Sequence, residues 1–188
     1  GVRVILENEA VIDSSLPQVL VTNHVSWIDV LVLAAFVPGR YVFVAKKEVE
    51  KIPVFGAAVR ACGHIYIDRG DKTRALASLD IARKRLEEAA PTVIIFPEGT
   101  RSNTGELGPF KKGAFVLAIQ TGASVVPAAI FGSREVMKRG SFLINSGIVR
   151  VHFGEPIQVG GYSMASRSKL THRAQQVVSE LQKRYETG

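Results

Sequence analysis

The sequence contains one cysteine, Cys62, so an intrachain disulfide framework is excluded. A single cysteine is typical of a protein from a reducing compartment. Long apolar runs are also absent: the longest covers residues 30–37, whereas a membrane-spanning helix needs roughly 20 residues. The chain as given is therefore not expected to span a membrane. It begins at Gly1 rather than methionine, so the sequence does not exclude a hydrophobic segment upstream.

Several common catalytic motifs are missing. No G-x-S-x-G nucleophile elbow occurs, and residues 105–113 do not have the order of a Walker A loop, which weakens serine hydrolase and nucleotide-hydrolysing functions. Cys62 and His64 share a strand face without a third member, so a cysteine nucleophile is poorly supported. No metal site is expected, because the histidines lack ligand spacing. They are His24, His64, His152 and His172.

Acidic residues are the minority. The chain has 24 lysines and arginines against 17 aspartates and glutamates, which gives a formal net charge of +7. A basic balance favours polyanions, anionic lipid head groups or phosphorylated substrates, and charge alone does not choose among them.

Short apolar runs that alternate with stretches of helical period predict an α/β domain, with a largely parallel central sheet flanked by helices. The predicted strands are residues 18–22, 41–45, 64–67, 92–96, 124–130 and 148–153. Helices are predicted over 30–37, over 71–90 and near the C-terminus, where Leu170, Val178 and Tyr185 share one face. Because 46% of the 188 residues are hydrophobic, one domain over residues 1–188 is expected.

Polar residues follow four of these predicted strands. His24 comes after the first strand, Lys46 after the second, Arg69 after the third and residues 97–102 after the fourth. The carboxyl ends of parallel strands share one edge, where ligands bind in α/β proteins. The four segments are therefore expected to converge there.

His24 and Asp29 can form a proton acceptor with a carboxylate that orients it. An imidazole can take a proton from an alcohol, and a carboxylate bonded to its far nitrogen fixes the tautomer and stabilises the imidazolium. Ser26 and Asp29 also fit a capping box ahead of an apolar helix, a purely structural role for Asp29. The two roles are compatible, because a helix N-terminus brings Asp29 back toward His24.

Residues 96–102 form the most specific segment. Gly99 lets the backbone turn closely around a ligand, Thr100 offers a hydroxyl, and Arg101 can grip a phosphate in bidentate fashion. Glu98 has two possible roles, binding a substrate hydroxyl or bracing the loop, and the sequence does not decide between them.

These segments resemble the glycerolipid acyltransferases that carry an H-x-x-x-x-D motif, most of all the bacterial 1-acylglycerol-3-phosphate acyltransferases. The resemblance covers residues 24–29, 63–69, 96–102 and 126–128, in the family's order and with similar spacing. Four ordered blocks are far more specific than a single H-x-x-x-x-D match. The resemblance implies that residues 1–188 are an acyltransferase domain with a glycerol-phosphate acyltransferase-like fold.

The resemblance further implies transfer of a fatty acyl group to the free sn-2 hydroxyl of lysophosphatidic acid, giving phosphatidic acid. His24 would be the general base and Asp29 would orient its imidazole, while Lys46 lies near the acyl donor or oxyanion. The implied substrate-binding residues are Glu98, Gly99, Thr100, Arg101, Arg69 and Lys46. No cofactor is expected, because the donor, acyl-CoA or acyl carrier protein, is already an activated thioester.

The expected partners are lysophosphatidic acid, the acyl donor and a membrane surface, with the protein peripheral or anchored at its cytoplasmic face. Nucleic acid is not expected, because a basic binding module would not explain the His24–Asp29 arrangement. A thioesterase remains an alternative, as do acceptors such as glycerol 3-phosphate, other lysophospholipids and lyso-ornithine lipid. Acyl length, donor carrier and oligomeric state cannot be read from the sequence.

Overall fold

The structure is a computed structural model that describes residues 1–46, 65–67, 72–88, 92–138, 140–141 and 143–186. Its described strands form one seven-stranded sheet with the order β1-β7-β6-β2-β5-β3-β4. The strands are β1 (Val2–Glu7), β2 (Gln18–Thr22), β3 (Tyr41–Lys46), β4 (Ile65–Ile67), β5 (Thr92–Ile95), β6 (Ser124–Phe131) and β7 (Gly147–Phe153). All neighbouring pairs are parallel except β6 with β7. The largely parallel α/β sheet predicted from the sequence is confirmed.

Helices cover both faces of this sheet. They are α1 (Trp27–Phe36), α2 (Lys72–Glu88), α3 (Gly113–Thr121), the short α4 (Ser133–Val136) and α5 (Arg167–Glu186). The strand β1 and the helices α3 and α4 were not predicted from the sequence. The ends of the predicted elements at His64, Asp71 and residues 89–90 lie outside the described residues. Within the described residues, no helix combines the length and the apolarity that spanning a membrane requires.

Alternate side chains of the buried strands pack into two apolar cores, one on each face of the sheet. Val19 and Val21 of β2 belong to a core on one face that includes residues of α2, α3 and α5, whereas Leu20 belongs to a core on the other face that includes residues of α1 and α4. Burying a Val, Leu or Ile side chain contributes about 1.5–3 kcal/mol, so two-sided burial fixes β2 firmly. The segment that follows β2 therefore starts from a rigid strand.

The strand order sets the position of the candidate site. β2 lies beside β5, β5 beside β3, and β3 beside β4, all parallel. The segments after these strands consequently leave the sheet at one edge. The helix α1 begins there, directly after β2.

Candidate active site

The site is built on the N-terminus of α1. Asn23 ties the end of β2 to β6, because its side chain accepts a hydrogen bond from Ile130 N at 2.8 Å and donates one to Ile130 O at 3.0 Å. Ser26 is the N-cap residue, and its Oγ accepts from Ile28 N at 3.3 Å. Asp29 Oδ2 accepts from Ser26 N at 2.8 Å. The capping box expected from the sequence is present.

The same carboxylate contacts the imidazole of His24. Asp29 Oδ2 lies 2.8 Å from His24 Nδ1 and also accepts from Val25 N at 2.7 Å. The Asp29 side chain is fully buried, whereas the His24 side chain is 14% exposed. With Nδ1 directed at the carboxylate, Nε2 is the ring nitrogen that can accept a proton. Asp29 thus caps α1 and orients His24 at the same time.

The segment after β5 holds the backbone and the ring of His24. The His24 N–H donates to Glu98 Oε1 at 2.8 Å, and its carbonyl accepts from Ser102 N at 2.8 Å. The imidazole stacks on Phe96, with ring centroids 4.0 Å apart and an angle of 19° between planes. The structure therefore brings residues 24–29 and 96–102 together, as the parallel strand order predicts.

Both carboxylate oxygens of Glu98 accept hydrogen bonds from backbone N–H groups. Besides His24 N, Gly108 N donates to Glu98 Oε2 at 2.8 Å. A Cβ at Gly108 would lie 2.9 Å from that oxygen, so a larger residue would require the carboxylate to shift. Burial raises the pKa of Glu98; the two backbone N–H groups oppose the rise and the charge of Asp29 adds to it. These contacts show the bracing role; contact of Glu98 with a substrate stays a prediction.

Arg101 lies beside the same helix start. Its guanidinium carbon is 4.8 Å from the centroid of the Trp27 ring, and Trp27 is the first residue of α1. Stacking on an aromatic face orients the plane of a guanidinium. Gly99 adopts a φ of 83° and donates its N–H to Phe96 O at 3.0 Å, a turn that favours glycine. Thr100 is exposed on this turn.

A cleft of about 370 Å³ borders these residues. It is lined by Val25, Ser102, Asn103, Arg134, Glu135 and Lys138. Val25 follows His24, and the N–H of Ser102 is bonded to the His24 carbonyl, so the cleft opens next to the histidine. Neither His24 nor Arg101 contributes to its described lining, and a cavity shared by those two side chains stays a prediction.

The structure does not describe the side chains of two predicted site residues, Arg69 and Lys46. Arg69 lies outside the described residues, as do Cys62 and His64. Lys46 ends β3 opposite Ile67 of β4, which puts its backbone at the same sheet edge, but its side chain is not described.

The contributions of three residues to the site were not predicted: those of Trp27, Phe96 and Gly108. Trp27 is the only tryptophan of the chain and lies inside the H-x-x-x-x-D segment, which was an available signal. Phe96 was predicted as the end of a strand and as part of the 96–102 segment, but its stacking on the His24 imidazole was not predicted. Gly108 gave no signal, since its importance comes from a contact with a side chain ten residues away.

Comparison with known proteins supports the sequence resemblance. A family model described as Acyltransferase matches residues 3–131. A chloroplastic 1-acyl-sn-glycerol-3-phosphate acyltransferase of Brassica napus is 39% identical over 145 residues, which cover 77% of this chain and 42% of the relative. A 1-acyl-sn-glycerol-3-phosphate acyltransferase of Helicobacter pylori is 36% identical over 120 residues, which cover 63% of this chain and 50% of the relative.

Among solved structures, the chain is similar to the 1-acyl-sn-glycerophosphate acyltransferase PlsC of Thermotoga maritima. The TM-score is 0.78 at 30% identity, and the match covers 96% of this chain and 72% of that one. The chain spans about half the length of the curated relatives it matches. The resemblance inferred from the four sequence blocks and the α/β fold that it implied are both confirmed.

Proposed function

The chain belongs to the acyltransferase family, and from this premise we propose that it transfers a fatty acyl group from a thioester to the free sn-2 hydroxyl of 1-acylglycerol 3-phosphate. The product is phosphatidic acid. The observation that carries the proposal is the His24–Asp29 pair at 2.8 Å, held against the loop after β5. Relatives named for this activity support the choice of acceptor.

In the proposed reaction, His24 Nε2 takes the proton of the acceptor hydroxyl as its oxygen attacks the thioester carbonyl carbon. A carbon–oxygen bond forms, the carbon–sulfur bond then breaks, and the imidazolium returns the proton to the leaving thiolate. Asp29 stabilises the imidazolium through Nδ1. General-base catalysis contributes roughly 10²- to 10⁴-fold, so the remaining acceleration comes from orienting two substrates and stabilising the oxyanion.

Arg101 is proposed to bind the phosphate of the acceptor. A guanidinium can contact two phosphate oxygens at once. The guanidinium of Arg101 lies over the ring of Trp27, which follows His24 by three residues in the sequence. Gly99 and Thr100 form the turn that carries it, and Glu98 anchors that turn to His24. Arg69 and Lys46 are proposed to assist at the phosphate and at the acyl donor, respectively.

The proposed partners are lysophosphatidic acid, acyl-CoA or acyl carrier protein, and a membrane surface. No cofactor is proposed, because the thioester supplies the activated acyl group. The net charge of +7 supports attachment to anionic lipid, with the protein peripheral or anchored at the cytoplasmic face.

A product assay tests the proposed function. The purified protein would be given acyl-CoA or acyl carrier protein donors with lysophosphatidate, glycerol 3-phosphate, other lysophospholipids or lyso-ornithine lipid, and products would be resolved by mass. We expect phosphatidate when lysophosphatidate is present. Free fatty acid released at one rate regardless of acceptor would instead identify a thioesterase, in which His24 activates water.

A further inference from the structure

Two large apolar side chains project from the segment between α4 and β7. Leu143 is 76% exposed and Ile144 is 55% exposed, and no large apolar side chain in the described part of the chain is more exposed than Leu143. Single exposed apolar residues are ordinary on protein surfaces. Two in succession on a projecting segment form a surface that favours an apolar partner.

This segment is held in place at both ends. The chain leaves α4 at Met137 and returns at Asn145, whose N–H donates to Val136 O at 2.8 Å. Within it, Ser141 Oγ accepts from Leu143 N at 3.0 Å. Leu143 and Ile144 therefore belong to a loop with fixed ends.

The base of the loop is bonded to the candidate active site. Ser26, the N-cap of α1, donates through Oγ to Met137 O at 2.8 Å. Met137 itself is buried against the core that contains α1. The capping box that orients His24 and the base of the loop thus share one residue, so a surface that binds the loop would lie next to the site.

Cationic side chains lie in α4 and at the base of the same loop. Arg134 and Lys138 are exposed and line the cleft that borders His24, together with the acidic Glu135. Arg134 also donates to Thr104 O, which connects α4 to the loop after β5. Apolar residues flanked by lysine or arginine are typical of surfaces that bind anionic bilayers, with the apolar groups below the head groups and the cations at phosphate level.

We propose that Arg134, Lys138, Leu143 and Ile144, here called the docking surface, bind the face of an anionic phospholipid bilayer. Leu143 and Ile144 enter the boundary between head groups and acyl chains, and the cleft then opens at membrane level. This proposal rests on the proposed function in one respect: it takes the acceptor that reaches the cleft to be a membrane lipid.

Vesicle sedimentation tests the docking surface. The protein would be mixed at low salt with vesicles of phosphatidylcholine alone or with added phosphatidylglycerol, and compared with a Leu143→Gln/Ile144→Gln double variant. Ile81→Gln is the matched control, because Ile81 is 51% exposed on α2, which packs on the opposite face of the sheet. We expect the double variant to partition about tenfold or more weakly, Ile81→Gln to match the wild type, and Lys138→Gln to lose most of the preference for phosphatidylglycerol.

A fluorescence probe gives an independent measurement. Leu143→Trp places an indole on the docking surface, and Trp27 of the wild type provides the background. On vesicles containing phosphatidylglycerol, the variant's emission should shift to the blue and be quenched by brominated acyl chains beyond the wild-type signal. An emission unchanged by vesicles that bind the protein would overturn insertion at this position.

Other outcomes separate the docking surface from the proposed function. Equal vesicle binding by the double variant and the wild type would overturn the docking surface alone. No wild-type binding to phosphatidylglycerol vesicles would overturn the docking surface and also the proposed attachment to anionic lipid. Self-association of the wild type that the double variant loses would overturn the docking surface too, because a second copy would then cover the surface. Acyl transfer to a short-chain lysophosphatidate dissolved as monomers needs no bilayer, so failure there contradicts the proposed function alone.

Discussion

Two buried carboxylates lie on either side of His24 and act on different parts of it. Asp29 contacts the imidazole and the start of α1, whereas Glu98 contacts the His24 backbone and Gly108. A side chain that accepts two backbone N–H groups fixes the loop, and this role does not require contact with a substrate. We therefore expect Asp29 and Glu98 to differ in how their loss affects kinetics.

Glu98→Gln should lower kcat while leaving the KM of the acceptor nearly unchanged. The amide replaces one acceptor oxygen by an NH₂ group facing a backbone N–H, which displaces His24; misplacement of a catalytic group by about 1 Å can cost on the order of 10²-fold. Steady-state kinetics would measure this, with exposed Glu180→Gln as the matched control. A raised acceptor KM at unchanged kcat would show instead that Glu98 binds the substrate.

The stability contribution of Glu98 should depend on pH. Its folded-state pKa is raised above the ordinary value of 4.5, so between those two values the folded protein holds a proton that the unfolded chain releases. The free energy of unfolding should fall relative to Glu98→Gln as pH rises through this window. Urea unfolding of both proteins across the acid range would measure the difference, and parallel profiles would contradict it.

Arg101→Ala should mainly raise the KM for the phosphate-bearing acceptor. A charge-assisted contact contributes about 1.5–3 kcal/mol, so kcat/KM for the acceptor should fall about tenfold or more. Arg83→Ala is a suitable control, because Arg83 pairs with Glu87 on the surface of α2. Unchanged acceptor kinetics with impaired donor kinetics would put Arg101 at the other end of the site.

At the scale of elements, α1 connects the core to the catalytic pair. It buries Ile28, Val32 and Leu33, while Leu31 and Phe36 remain exposed. Its polar anchor is its N-terminus, where Ser26 accepts from Ile28 N and donates to Met137 O. The position of α1 along its axis therefore depends strongly on this cap.

Ser26→Ala should destabilise the fold by about 1–2 kcal/mol, because it removes a helix cap together with a buried hydrogen bond. Transfer activity should fall as well, since Asp29 would be less firmly placed against His24. Urea unfolding and initial rates would be compared with those of Ser168→Ala, an exposed serine on α5. Stability equal to the wild type would mean that the cap contributes little.

Apolar runs predicted six of the strands to within about a residue of their described ends, because strands buried on both faces are nearly continuous in apolar sequence. β1 was missed, because it lies at the sheet edge and is only partly buried. α3 was missed for the opposite reason: it is apolar on most sides and follows Lys112, which provides no side-chain cap. Neither element shows the pattern that marks its class.

The site was predictable to the level of segments. The sequence predicts that residues 24–29 and 96–102 meet at one edge, because each segment follows a strand of a parallel sheet. It does not predict that β2 and β5 are neighbours, which the structure shows. The hydrogen bonds from His24 N and Gly108 N to Glu98 depend on the paths of the loops after β2 and β5. No periodicity in the sequence predicts those paths. Arg69 and the side chain of Lys46 lie outside the described residues, so their roles stay predictions.

At the scale of the whole molecule, the antiparallel pairing of β6 with β7 divides the sheet formed by the described strands. β2, β5, β3 and β4 form the parallel half whose edge carries the site, while β7 and β1 run in the opposite direction beyond β6. Tyr185 of α5 fastens that outer part by donating to Glu7 and packing on Phe131, with ring centroids 4.4 Å apart. The outer strands thus support the fold away from the chemistry, and α4 connects β6 to the segment that leads into β7.

The central claim is that His24, oriented by Asp29, accepts the proton of the acceptor hydroxyl. The most direct test is the initial rate of phosphatidate formation by His24→Ala at saturating donor and acceptor, with urea unfolding measured in parallel. His172→Ala, which removes an exposed histidine of α5, is the matched control. We predict a folded His24→Ala protein whose rate is at least about 10²- to 10⁴-fold below the wild type, and a His172→Ala protein with normal activity. A folded His24→Ala protein that forms phosphatidate at nearly the wild-type rate would contradict the account.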